Sequence, residues 1–133
     1  MPRRLGVATE NQRISILIVE DHADTREGYA TYLRWAGHAV AEAASGEEGL
    51  SLAARVLPDI IVLDVSLDGM SGLDVLSELR ASAATRDIPV ILITGSDVRR
   101  DGLKEAGAAR LLQKPLAPAT LMGHLEQVIR SRG

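Results

Sequence analysis

The chain has no cysteine and no phenylalanine, and aromatic residues make up 2% of its 133 positions. Without cysteine there are no disulfides and no thiolate metal sites, which suits a reducing compartment. Tyr29, Tyr32 and Trp35 are the whole aromatic complement. They fall three apart within one helical segment, which reads as core and helix edge. A basic excess is also missing. The formal net charge is −3, whereas a nucleic-acid binder needs a basic face, often with stacking aromatics. No direct nucleic-acid contact is expected. No apolar run approaches the ~20 residues needed to span a bilayer. No signal-peptide pattern opens the chain, so a cytoplasmic protein without membrane insertion is expected.

What is present is ordinary for a globular chain: 46% hydrophobic and 25% charged residues. The length allows one domain with a real core. Residues 1–13 lack periodicity and read as a flexible lead-in, leaving 14–133 as the domain. Strand-like and helix-like segments alternate five times, which predicts an α/β fold with a parallel sheet. Asp24 and Glu27 have capping-box spacing, and Tyr29, Tyr32, Leu33 and Ala36 then share a helical face. Gly37 supplies the stop, and 38–43 forms a short second strand. Ser45 and Glu48 repeat the capping box, with Leu50, Ala53, Ala54 and Leu57 as the stripe and Pro58 as the terminator. A third helix carries Gly72, Val75, Leu76 and Leu79. The segment 97–106 is a weak helix candidate in which Gly102 costs roughly 1 kcal/mol relative to alanine. Pro118 opens a last helix with Leu121, Leu125, Val128 and Ile129 inward.

Four apolar runs end in a functional group. Ile14 to Val19 runs into Glu20-Asp21, and Ile60 to Leu63 into Asp64. Val90 to Ile93 runs into Thr94, and Leu111 to Gln113 into Lys114-Pro115. If all four are strands of one parallel sheet, these groups meet at its carboxyl edge, where open α/β sheets bind ligands. Three carboxylates, a hydroxyl and a lysine at one point read as a cation and phosphoryl site.

This order of motifs resembles the CheY-like receiver domain of two-component response regulators, from about Ile14 to Arg132. The resemblance implies a flavodoxin-like, doubly wound five-stranded parallel sheet, order 2-1-3-4-5, with helices on both faces. It implies a phosphorylation switch rather than an enzyme, catalysing only its own phosphorylation and dephosphorylation. Asp64 would be the phosphoacceptor, with Lys114 and Thr94 on the phosphoryl oxygens and a cis Lys114-Pro115 bond. Mg²⁺ would be held by Asp21, Asp64, the Ser66 backbone carbonyl and Glu20, directly or through water; Mn²⁺ is a possible substitute. The implied donor is a sensor histidine kinase or phosphotransfer protein, recognised on the first-helix surface around Thr25 and Arg26. Output to an unidentified protein would pass by protein contact, from a monomer or a weak phosphorylation-dependent dimer. A receiver excised from a hybrid histidine kinase, acting as phosphorelay or sink, is the alternative.

Three positions depart from the family pattern. Glu20-Asp21 stands where Asp-Asp is commoner, and Asp68 stands where proline is usual and is expected to face solvent. Leu111 stands where Tyr or Phe often swings inward, which implies a weaker or different switch with 97–106 the most labile element. His22 is expected to be a solvated loop residue, and His38 and His124 structural or surface groups. Rival readings fit less well. A haloacid-dehalogenase-type phosphatase wants an acid where Ser66 stands, a histidine phosphotransfer domain is all helical, and no Gly-rich phosphate loop follows the first strand.

Crowded carboxylates repel in the absence of metal. Asp64→Asn is therefore expected to raise metal-free stability by ~1 kcal/mol, the equivalent of one pKa unit. Mg²⁺ should then raise the melting temperature of the wild type more than that of the variant. Equal shifts would contradict the carboxylate cluster.

Overall fold

A computed structural model describes residues 13–95 and 107–132. The elements run β1 (Ser15–Val19), α1 (Ala23–Trp35), β2 (Ala39–Ala43), α2 (Gly46–Val56), β3 (Ile60–Asp64) and α3 (Gly72–Ala81). They continue with β4 (Val90–Thr94), β5 (Arg110–Gln113) and α4 (Pro118–Arg132). The helix expected over 97–106 and most of the 1–13 lead-in lie outside the described residues.

All five strands are parallel, in the order β2-β1-β3-β4-β5. β1, β3 and β4 are apolar almost throughout because helices cover both faces of the sheet. Alternation along each strand then divides the core in two. Ile16, Ile18, Ile60, Val62, Ile91 and Ile93 meet Tyr29, Ala30 and Leu33 of α1 and Leu121, Leu125 and Val128 of α4. Leu17, Val19, Ile61, Leu63, Val90 and Leu92 meet Ala53 of α2 and Val75, Leu76 and Leu79 of α3. The stripes expected for the third and last helices are thus the buried ones, although Ile129 is only partly buried.

Two helices differ from the sequence reading. The residue capping α1 is His22, with no side-chain bond, so the Asp24–Glu27 capping box does not form. The His22 N–H instead donates to Glu20 Oε2, which tightens the turn and starts the helix before Asp24 can act as its cap. Asp24 remains a first-turn acid that favours the helix dipole. At α2 the Ser45 hydroxyl does accept the Glu48 N–H, and the Glu48 carboxylate reaches back to the Ala44 N–H at 2.7 Å. Its buried face, however, is Gly46, Gly49 and Ala53, with Ala54 and Leu57 exposed. The helix lies so close to β1 that a Cβ on Gly49 would sit 2.8 Å from Val19 Cγ2. Larger residues are therefore displaced from that face. Leu57 takes the left-handed conformation (φ 50°) just past the last turn, and Pro58 follows.

The aromatic run of α1 divides in the same way. Tyr29 is buried, but Trp35 is 76% exposed and packs only at the helix edge against Tyr32, ring centroids 5.7 Å apart.

Gly72 is where the fold meets the acidic edge most tightly. A Cβ there would overlap the Asp64 carbonyl oxygen and lie 2.7 Å from Val65 Cα. Both obstacles are backbone and cannot turn aside. Gly72→Ala is therefore expected to destabilise by roughly 2–3 kcal/mol, the upper range for overpacking, read as a lower urea midpoint with an unchanged slope.

Candidate functional site

Parallel register brings the strand ends together. Val19 pairs with Leu63, Asp64 with Ile93, and Thr94 with Gln113. The residues that follow β1 and β5, Glu20-Asp21 and Lys114, therefore flank Asp64 and Thr94. Glu20, Asp64 and Thr94 are buried at 4%, 5% and 3% exposure; Asp21 and Lys114 are partly buried.

One ammonium serves two carboxylates. Lys114 Nζ lies 3.0 Å from Glu20 Oε1 and 3.3 Å from Asp64 Oδ2. Burial disfavours the Lys114 charge, but Glu20 and Asp64 outweigh it, and the group rises above its usual 10.5. Burial pushes the Glu20 carboxyl above its ordinary 4.5; the His22 N–H and Lys114 oppose this, and the Asp64 charge adds to it.

Backbone donors hold further carboxylate oxygens. The Ser66 N–H donates to Asp64 Oδ1 at 3.0 Å, and the Asp68 N–H to Asp21 Oδ2 at 3.0 Å. The Lys114 N–H donates to the Thr94 carbonyl, joining the β4 and β5 ends. The Asp68 side chain faces solvent, as expected, yet its backbone belongs to the site. Residue type carries no trace of such donors, and the sequence reading missed them. It also missed Arg26. Rather than lying free on the surface of α1, this side chain turns inward to the Glu20 carbonyl. The peptide bond Lys114-Pro115 is cis.

The histidines stay outside the acidic cluster. His22 contributes its N–H and points its ring to Thr25. His38 is buried with Nδ1 accepting the Ile14 N–H, and His124 meets Arg110 of β5. Beside Lys114 an open cleft of about 520 Å³ runs between α1 and the β5–α4 connection, lined by Thr25, Tyr29, Lys114 and Pro115 among others.

Glu20, Asp21 and Asp64 each turn one oxygen toward a common point, all within 4.8 Å of one another. A donor set of three hard oxygens, balanced by a single lysine, fits a divalent cation such as Mg²⁺.

A family model described as the response regulator receiver domain matches residues 16–126. The chain belongs to the response regulator receiver family. Curated relatives include the phosphate regulon transcriptional regulatory protein PhoB of Pseudomonas aeruginosa. It is 36% identical over 122 residues, covering 90% of this chain and 53% of the relative. A nitrate/nitrite response regulator homologue of Haemophilus influenzae is 34% identical over 87% of this chain and 57% of its own length. The chain thus spans about half the length of these relatives. Among solved structures, chemotaxis protein CheY4 of Vibrio cholerae superposes with TM-score 0.81 and 29% identity, covering 87% of this chain and 98% of its own. The receiver domain of a signal transduction histidine kinase from Syntrophus aciditrophicus gives 0.79 and 29%, over 89% and 91%. Receivers are signalling domains, and the flavodoxin-like order expected from the sequence is the one observed. Among the described residues no helix is long and apolar enough to cross a membrane.

The raised Glu20 carboxyl has a pH consequence. In the metal-free protein its contribution to stability is full below the ordinary 4.5 and is lost as pH rises through the raised value. A cation must compete with that proton. Mg²⁺ affinity is expected to fall as pH drops from neutrality into the carboxylate range, and Glu20→Gln should flatten the trend. Calorimetric titrations at a series of pH values check this.

Proposed function

We propose that Asp64 accepts a phosphoryl group from the phosphohistidine of a sensor histidine kinase or phosphotransfer protein, and that the phosphorylated chain signals by protein contact. The observation that carries this reading is the setting of Asp64 itself. It is a buried carboxylate at a strand end, with Oδ1 on the Ser66 N–H and Oδ2 facing Lys114, beside two further acids.

An Asp64 oxygen attacks phosphorus, the phosphorus–nitrogen bond breaks, and the electron pair leaves with the donor imidazole, which is then protonated. The product is an acyl phosphate. Asp64 is taken as the acceptor rather than Glu20 because β3 delivers it between the β1 and β4 ends, in the middle of the cluster. Asp21, Asp64 and the Ser66 carbonyl are assigned to Mg²⁺, with Glu20 direct or through water, and Mn²⁺ is an acceptable substitute. When bound, the cation supplies positive charge against the carboxylates and the transferring oxygens. Lys114 then exchanges part of its contact with Asp64 for a phosphoryl oxygen, and the Thr94 hydroxyl donates to another. The same groups position water for the chain's own dephosphorylation.

The cleft has Thr25 on one wall and, on the other, Lys114, whose ammonium contacts Asp64, which supports docking of the donor there. Likeness to the Syntrophus histidine kinase receiver supports a second reading, in which the chain relays or drains phosphoryl groups within a longer phosphorelay protein.

Intact mass after incubation with acetyl phosphate and Mg²⁺ tests the acceptor. One phosphoryl adduct is expected on the wild type and none on Asp64→Asn or without metal. No adduct with acetyl phosphate or with candidate kinases would make the acidic pocket a binding or structural feature.

A further inference from the structure

The turn carrying Glu20 and Asp21 is held from outside the acidic cluster. The Glu20 N–H donates to the Ala43 carbonyl of β2 at 3.0 Å. On the other side of the same residue, Arg26 Nη1 donates to the Glu20 carbonyl at 2.9 Å. That carbonyl belongs to the peptide joining Glu20 to Asp21. Because a peptide is planar, fixing its oxygen fixes the plane from which both side chains depart.

Arg26 is itself braced. Its Nε donates to Glu42 Oε1 at 3.1 Å, and Glu42 Oε2 receives Arg34 Nη1 at 3.0 Å. Arg34 also donates to the Val40 carbonyl. The Arg26 side chain is only 15% exposed, and Glu42 24%. The path thus runs from α1 through the edge strand to the metal-facing turn. A guanidinium holds a carbonyl and a carboxylate at once from a planar fork, whereas an ammonium on a flexible stem lacks that fixed geometry.

We propose that Arg26, braced by Glu42, is a positioning residue for the cation site, setting the Glu20-Asp21 peptide so that both carboxylates face Asp64. The proposal rests on the metal-site reading given above. Loss of an outer partner that orients metal ligands typically lowers affinity 10–100-fold.

The test is Mg²⁺ calorimetry on the wild type, Arg26→Ala, Arg26→Lys and Glu42→Gln, with thermal unfolding and amide exchange of each metal-free protein. Arg26→Ala is expected to bind Mg²⁺ about 10-fold more weakly, with Arg26→Lys and Glu42→Gln between it and the wild type. In the metal-free variants the His22 and Asp68 amides, which donate to Glu20 and Asp21, should exchange faster while Ile91 in β4 does not change. Wild-type affinity together with a lower melting temperature would overturn the proposal, making Arg26 a brace of the fold alone. If Arg26→Ala does not fold, wild-type affinity in Arg26→Lys overturns it equally. A wild type that binds no Mg²⁺ would refute the metal-site reading, and the metal-free amide pattern would still decide the positioning role.

Discussion

Three carboxylates and one ammonium share the carboxyl edge of a five-stranded parallel sheet, and Lys114 is the only cation in hydrogen-bond contact with two of the acids among the described residues. Burial of Glu20 and Asp64 makes the arrangement electrostatically tense, because anions taken from water need partners. The lysine, the turn amides of His22, Ser66 and Asp68, and the expected cation each answer part of that demand. A site assembled this way is responsive because its charge is incompletely balanced in the resting chain. In the proposed function, arrival of a cation or a phosphoryl group would change which partner each oxygen prefers. The lysine, which already contacts two of the acids, would lie at the centre of that exchange.

The scaffold tolerates this tension because the central strands behind the site, β1, β3 and β4, are apolar almost throughout and covered on both faces. Ile16, Ile18, Ile60, Val62, Ile91 and Ile93 serve one layer while Leu17, Ile61, Leu63 and Leu92 serve the other. Each strand end is thereby set in depth and register before any polar group is considered. Gly72 adds a close approach of α3 to the Asp64 carbonyl that no side chain could allow. Rigid elements converge and the reactive groups sit where they stop, which is how a parallel sheet concentrates chemistry at one edge.

Much of this was legible beforehand. Apolar runs ending in Glu20-Asp21, Asp64, Thr94 and Lys114 located four of the five strands and supplied the list of polar groups, because continuous apolar runs and the residues that end them are local properties. The α3 and α4 stripes were readable for the same reason. The exceptions are places where a neighbour in space overruled local preference. The Glu20 carboxylate took the His22 amide and moved the start of α1, leaving Asp24 without a cap to make. Close packing of α2 on Val75 and Val19 selected Gly46 and Gly49 for its inner face and turned Ala54 and Leu57 outward. Trp35, aligned with Tyr29 on the aromatic spacing, ends up beyond the edge of the core.

The amino-acid sequence by itself determined the α/β class, the strand-end chemistry and the family, since each depends on residue type and spacing along the chain. The tertiary structure alone decided how the charges are shared. Which oxygen Lys114 touches, which amides hold Asp21 and Asp64, and that Arg26 faces the Glu20 carbonyl instead of solvent all depend on segments far apart in the chain. Apart from the Lys114 pairs, those contacts use main-chain amides and carbonyls, so their partners are chosen by register and packing rather than by residue identity.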